Sequence, residues 1–271
     1  MTASNDAFEQ EVAAGQRFRF GQNWSQFVEL IDADRIADAE KSLVDWLGMT
    51  NLSGKSFLDI GSGSGLFSLA ARRLGARVHS IDFDPDSVAC TERLRHQYFP
   101  SDADWEVTRG SVLDRELMAR LGTFDVVYSW GVLHHTGDMD TAISNALERV
   151  GTGGVAFLAL YRKTWLCPLW KVEKRVYCSS PQRVQKALCD VYGRTLSLAY
   201  RLKHRGRKLP RGMDHERDVH DWLGGYPYES ITPRDLKDRV TRKGFKLIRQ
   251  AVKSEGVHLS PGCDEYVFKR V

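Results

Sequence analysis

One stretch constrains this chain more than any other: Phe57-Leu58-Asp59-Ile60-Gly61-Ser62-Gly63-Ser64-Gly65-Leu66-Phe67, followed by Val78-His79-Ser80-Ile81-Asp82. A short apolar run enters a turn with three glycines, and an amphipathic segment leaves it. Glycine there removes the Cβ barrier and tolerates positive φ, so a ligand can come close to the backbone. A second strand-like run ends on an acid about 20 residues past the first glycine, the spacing of a ribose-binding carboxylate. The pattern predicts an adenosine-bearing molecule lying across the C-terminal edge of a parallel sheet.

The surrounding chain alternates in the way such a sheet requires. Strand-like runs at 56–60, 77–81, 104–109, 124–129 and 153–160 are separated by helix-like segments at 65–74, 85–97, 114–121 and 138–149. That alternation implies right-handed βαβ units. Asp84-Pro85 and Asp138 are helix-start signals. Upstream, residues 1–24 have weak periodicity, whereas apolar residues from Ser25 to Leu47 recur at helical spacing until Gly48 stops them. After Tyr161 the alternation breaks, and it resumes with a helix at 233–243 and strands at 245–252 and 264–270. The organisation expected is an N-terminal lid and helix (1–53), a cofactor-binding core (54–161), a basic helical insertion (162–230) and a C-terminal return to the core sheet (231–271).

A dinucleotide fingerprint needs a sixth-position glycine to set a pyrophosphate on a helix N-terminus. Here that position is Leu66, and Asp59 stands two residues before the first glycine. A carboxylate there would repel a pyrophosphate but has a use beside an ammonium group. Asp59-x-Gly61-Ser62-Gly63-Ser64-Gly65, Asp82 closing the second strand, and Phe124-Asp125-Val126-Val127 opening the fourth resemble the class I S-adenosylmethionine-dependent methyltransferases. The resemblance covers about residues 54–161 and the last two strands, and it implies a Rossmann-like α/β sheet, parallel with an antiparallel last strand. It also implies S-adenosyl-L-methionine as cofactor and S-adenosyl-L-homocysteine as product. Carried over, Asp59 and the turn Gly61, Ser62, Gly63 and Gly65 hold the methionine part, Asp82 with Phe83 beside it takes the ribose hydroxyls, and Ser111 and Val112 flank the adenine. The family often has an acid where Ser111 stands, so the adenine contact departs from its pattern.

Residues after the fourth strand, Ser129-Trp130-Gly131-Val132-Leu133-His134-His135, then lie beside the reacting sulfur, with Trp130 against the cofactor. They resemble the V-L-H-H motif of small-molecule methyltransferases, including the ubiquinone-biosynthesis O-methyltransferases. Methyl transfer is an in-line displacement governed by positioning. A hydroxyl nucleophile also sheds a proton, which makes His134 and His135 the candidate general bases. The alternative for either ring is a cap or a packing role. No N-P-P-Y or D-P-P-Y tetrapeptide follows the fourth strand, which argues against a base or a protein amide as acceptor.

Substrate choice in this fold lives in the additions. Phe20 and Trp24 in the segment Arg17 to Trp24, and Trp222, Tyr226 and Tyr228 in the Gly- and Tyr-rich turn at 221–228, are the substrate-contact candidates. The segment 162–211 carries 14 Lys and Arg against two acids, an excess of 12 in a chain of net charge +4. It reads as a cap on the core, as an attractor for an anionic small molecule or a membrane surface, or as an RNA track. An O-methyltransferase of small molecules is the first expectation. RNA methylation, N- or C-methylation of a sugar- or lipid-linked intermediate, and a non-enzymatic cofactor-binding subunit are the alternatives. Five scattered cysteines without a C-x-x-C pair, no metal-ligand cluster, no apolar run near 20 residues and no secretory start together predict free thiols in the cytoplasm.

Overall fold

The alternating apolar runs build one seven-stranded sheet. The computed structural model describes residues 3–181, 183–193, 220, 222–252 and 262–271. The strands are β1 (Ser56–Ile60), β2 (Arg77–Asp82), β3 (Trp105–Arg109), β4 (Phe124–Trp130), β5 (Val150–Tyr161), β6 (Phe245–Ala251) and β7 (Cys263–Arg270), in the order β3-β2-β1-β4-β5-β7-β6. β1 to β5 pair in parallel, and β7 runs antiparallel between β5 and β6. The order reverses between β1 and β4, which opens a crevice at their C-terminal ends where such sheets bind ligands. Free thiols are found at all five cysteines, and no described helix is long and apolar enough to cross a membrane.

The two-residue period of the strands gives the sheet two apolar faces. Phe57, Val126, Phe157 and Val267 face α3 (Ala33–Leu47) and α4 (Leu66–Arg73) through Leu43, Trp46, Leu69 and Ala70. Leu58, Val127, Leu158 and Phe268 face α7 (Met139–Glu148) and α9 (Pro233–Arg242) through Ile143, Leu147, Leu236 and Val240. All of these are buried, the Val, Leu, Ile and Phe side chains each contributing about 1.5–3 kcal/mol relative to exposure. The remaining helices are α1 (Ala3–Ala13), α2 (Gly21–Val28), α5 (Pro85–Tyr98), α6 (Arg115–Arg120) and α8 (Cys167–Cys178), with a further helical run at 183–193.

Carboxylates set several helix starts, as caps at the first turn should. Asp84 accepts from the Asp86 N–H, Asp114 from Leu117 and Asp138 from Thr141. The same chemistry corrects the single helix expected over 25–47. Asp32 is extended, accepts from the Arg35 N–H at 2.9 Å, and so begins α3 separately from α2. Likewise β5 begins at Val150, not at 153, because Val150 pairs with Phe124 ahead of the irregularity at Gly151 to Gly154. Of the basic block, 182 and 194–211 lie outside the described residues.

One buried ion pair closes the sheet edge near the site. Arg162, just past β5, donates from Nε and Nη2 to the two oxygens of Asp264 on β7, at 2.7 and 3.0 Å. Removing one partner strands the other charge. Asp264→Ala is therefore expected to lower stability in urea unfolding by about 3–5 kcal/mol. Arg93→Ala, which breaks only an exposed pair with Glu29, should cost under about 1 kcal/mol.

Candidate active site

At the C-terminal end of β1 the chain turns through Gly61, Gly63 and Gly65, with φ of 77°, 56° and 81°. These left-handed values explain the glycines, and contact explains Gly61 and Gly65 further, a Cβ on Gly65 meeting the Thr91 backbone. A Cβ on Gly61 would run into the methyls of Val132, in the segment after β4. The Gly63 N–H donates to Asp82 Oδ2 at 2.9 Å, while Asp82 Oδ1 accepts from the Asp84 N–H at 2.9 Å. Burial is the largest influence on the Asp82 carboxyl and pushes it up to about 6, against those backbone bonds. Ser62 Oγ and Thr91 Oγ1 are 2.8 Å apart, holding the turn to α5.

Asp59 sits beneath the turn and is almost fully enclosed. Its Oδ2 accepts from Ser68 Oγ at 2.6 Å, Ser68 and Ser80 hydroxyls are 2.7 Å apart, and Trp105 Nε1 donates to Ser80 at 2.9 Å. This chain of bonds ties β1 to α4, β2 and β3. Burial pushes the carboxyl up to about 7, the Ser68 bond opposing and the Asp82 charge reinforcing the rise.

Ser111 and Val112 follow β3 on the same edge. The Gly110 N–H donates to the Asp82 carbonyl, Ser111 Oγ accepts from the Leu113 N–H at 3.1 Å, and Asn145 Nδ2 donates to the Val112 carbonyl at 2.8 Å. Phe83 lies under the N-terminal segment, 5.3 Å from the Phe8 ring and 5.0 Å from the Arg17 guanidinium. The structure thus brings Asp59, Gly61 to Gly65, Asp82, Phe83, Ser111 and Val112 to one edge. Trp130 is not brought there. Its indole reaches across β5 to Glu265 on β7 at 2.7 Å, away from β1.

The segment 17–24 lies over this edge. Gly21 N–H donates to Asp84 Oδ2 at 2.8 Å in a buried bond, and the Trp24 indole nitrogen is 3.0 Å from where a Cβ of Gly63 would stand. Arg17 fastens the segment to the turn after β4 by donating to the carbonyls of His135 at 3.1 Å and Thr136 at 3.3 Å. Phe20 rests 5.1 Å from the His135 ring.

Both histidines of that turn are buried. His134 Nδ1 accepts from the Tyr161 N–H at 3.3 Å. The neutral ring therefore carries its proton on Nε2, which is buried without a partner. Burial first, then the charges of His135 and Lys174, hold His134 well below the usual imidazole range. His135 Nδ1 donates to the Pro227 carbonyl at 2.8 Å. Burial pushes this ring down to about 3, despite that bond, with Lys174 and Arg17 adding to the fall. Such a base is weak at neutral pH, so the geometry favours His134 as a hydrogen-bond donor and His135 as an anchor for the 225–227 loop.

That loop and α8 close the far side. Tyr226 contributes its carbonyl, which accepts from the Phe18 N–H at 2.8 Å. Tyr228 is buried and donates its hydroxyl to Cys167 Sγ at 3.3 Å, and burial raises its phenol. Trp222 stands 5.8 Å from Tyr161 and 5.7 Å from Trp170. Three participants escape a reading by motif: Arg17, Tyr161 and Lys174. Lys174 is wholly buried, donating to the Trp222 carbonyl with its nitrogen 3.9 Å from the Trp222 ring centre. The one available signal was helical spacing of 167, 170, 174 and 177 along α8.

The crevice at the strand-order reversal, the glycine turn and the acid ending β2 define a class I, S-adenosylmethionine-dependent methyltransferase fold. A sequence profile described as a methyltransferase domain matches residues 32–250, so the chain belongs to the methyltransferase family, whose cofactor is S-adenosylmethionine. It is 33% identical over 116 residues to a ubiquinone biosynthesis O-methyltransferase of Paramagnetospirillum magneticum, covering 43% of this chain and 44% of that protein. It is 32% identical over 117 residues to the mitochondrial ubiquinone biosynthesis O-methyltransferase of Schizosaccharomyces pombe, covering 43% and 42%. These matches span less than half the length of the curated relatives. Among solved structures, magnesium protoporphyrin IX methyltransferase from Synechocystis with bound S-adenosylhomocysteine has a TM-score of 0.52 at 15% identity, covering 87% of this chain and 82% of that one. The N-methyltransferase NodS from Bradyrhizobium japonicum, with the same ligand, has a TM-score of 0.51 at 14% identity, covering 93% and 98%. At such identities these structures show the fold alone.

The glycine turn yields a direct check. Gly61→Ala combines a left-handed φ with a clash against Val132, so thermal unfolding should show a loss of roughly 1–3 kcal/mol. S-adenosylhomocysteine binding should fall with it in calorimetry.

Proposed function

We propose that this chain transfers the methyl group of S-adenosylmethionine to a hydroxyl oxygen of a small molecule. The observation that carries this reading is the adjacency of the glycine turn to the His134 turn through Val132 and Gly61. It sets a cofactor cradle beside a buried, donor-bearing cluster. The ubiquinone O-methyltransferase names of the relatives support oxygen as the acceptor atom.

The residues fit the cofactor. The three left-handed glycines leave backbone exposed where side chains would intrude, Asp82 retains acceptor capacity beyond its two backbone bonds, and Asp59 lies behind the turn. In this reading Gly61, Ser62, Gly63, Gly65 and Asp59 hold the methionine part, Asp82 and Phe83 the ribose, and Ser111 and Val112 the adenine. Bound there, S-adenosylmethionine supplies an electrophilic methyl on a sulfonium. The chain's own contribution is positioning, with Phe20 and Trp24 excluding water and His134 Nε2–H orienting the acceptor. Neither histidine is a strong base here, so the acceptor loses its hydroxyl proton to solvent before it is enclosed and reacts as the oxyanion held by His134 Nε2–H. The O–CH3 bond forms as the S–CH3 bond breaks, with acceleration resting on alignment.

The outward face of α8 bears on partners. Trp165, just ahead of the helix, and Leu169, Val172 and Val176 on it are exposed, beside Lys171 and Arg175. That apolar stripe with basic flanks supports peripheral contact with an anionic membrane surface over an RNA track. Bulk RNA retained on filters at low salt and released at moderate salt would favour the RNA alternative.

Two measurements test the function. The unliganded Asp59 and Asp82 carboxyls are pushed up to about 7 and about 6, whereas an ammonium and a diol prefer them ionised. Binding therefore expels protons, and S-adenosylhomocysteine affinity should weaken as pH falls from about 8 to about 5.5. The fall should be about tenfold per unit between 7 and 6, where one carboxyl must ionise, and approach about a hundredfold per unit below 6, where both must. Asp59→Asn should flatten the upper part of that profile. A chain that binds no S-adenosylhomocysteine at any pH would end the proposal. His134→Ala should leave that affinity unchanged and cut methyl transfer to phenolic acceptors by about 10²-fold. His134→Gln, which restores a donor, should recover part of it.

A further inference from the structure

Lys174 is the least expected side chain in the molecule. A buried ammonium normally has a carboxylate beside it, because its desolvation costs several kcal/mol. Among the described residues, Lys174 is in no ion pair. Glu173, its neighbour in sequence, acts on it only at longer range. Its nitrogen donates to the Trp222 carbonyl and otherwise meets ring faces, with Trp222 at 3.9 Å and Tyr228 at 5.5 Å. Burial pushes the amine down from its ordinary value.

Four more polar atoms in the same neighbourhood are buried without partners: His134 Nε2, Trp170 Nε1, Glu173 Oε2 and Trp222 Nε1. Each such atom costs about 1–3 kcal/mol, and folded proteins hold few of them. Here the residues that carry them bear on one cation. Lys174 acts electrostatically on both His134 and Glu173, and Trp170 lies one helical turn before it and 5.7 Å from Trp222. Aromatic rings pack alongside: Tyr161 lies 3.8 Å from the His134 ring, 5.5 Å from Tyr228 and 5.8 Å from Trp222. Three of the four unpaired atoms are N–H donors, and burial raises the Glu173 carboxyl so that it retains a proton more readily.

We propose that this cluster is a subsite for an acidic group on a planar ring, in which Lys174 Nζ pairs with an anionic oxygen of the methyl acceptor. His134 Nε2–H and Trp170 Nε1–H complete the donor set, and the tyrosine and tryptophan faces stack on the ring. Lys174 is then a specificity residue that favours acids over their neutral analogues. Identifying the ligand as the acceptor rests on the methyltransferase reading; the site itself does not.

The test needs no cofactor. Quenching of tryptophan fluorescence is titrated with 3,4-dihydroxybenzoate and with its methyl ester, which keeps the ring and removes the charge. The native chain should bind the acid about tenfold or more tightly than the ester. Lys174→Met should bind both alike, at the ester's affinity, with S-adenosylhomocysteine binding unchanged. Trp170→Phe, which keeps the ring and loses the donor, should weaken acid binding by a few fold and guards against a folding defect in the first variant. Equal affinity of acid and ester in the native chain, no saturable quenching by the acid at millimolar concentration, or a preference for acid surviving Lys174→Met would each overturn the subsite. If the native chain binds the acid but no S-adenosylhomocysteine, the subsite stands and the methyltransferase reading falls.

Discussion

The carboxylate of Asp82 joins the parts on which the rest of this molecule depends. One of its oxygens holds the glycine turn through Gly63, and the other holds the backbone at Asp84. Asp84 in turn holds the N-terminal segment through Gly21 and starts α5. Two acids flanking Phe83 therefore register a strand end, a ligand-scale turn, a helix start and an overlying segment against one another. Backbone N–H groups bonded to carboxylates form strong, short contacts, and they are stronger still where water is largely excluded. The Asp82 carboxyl is held well above its ordinary range by that enclosure, so the arrangement is under electrostatic tension without a ligand.

The sheet was legible because its signals are local. Two-residue alternation, short apolar runs and capping acids lie within a few residues of the structure they produce, and strand ends agree to within one residue except at β5. The glycine turn was legible for a related reason, since left-handed backbone restricts residue type directly. Trp130 was misdirected by position in sequence. Being next to the site along the chain did not decide which way its indole turned, because Glu265, on a strand two places across the sheet, offered an acceptor.

Helix α8 shows where reading from sequence fails. By residue type, Trp165 just ahead of the helix and Leu169, Val172 and Val176 on it are side chains to bury, and its lysines side chains to expose. The structure inverts this: Trp165 is 80% exposed and Lys174 is 0% exposed. The partners that overturn the pattern, the Trp222 carbonyl and the Trp222 and Tyr228 rings, arrive from about 50 residues downstream. No periodicity within α8 could register them. Lys174 and His134 thus escaped notice as a pair because burial, not residue type, gives them their chemistry.

Arg17 couples two parts of the molecule that a static description treats separately. Its guanidinium holds the carbonyls of His135 and Thr136, so the covering segment is fastened to the turn that carries His134. Any exit past residues 17–24 has to part these bonds, and doing so releases the turn on which His134 is presented. For the proposed cofactor and acceptor, one guanidinium thus ties the covering of the first to the presentation of the second.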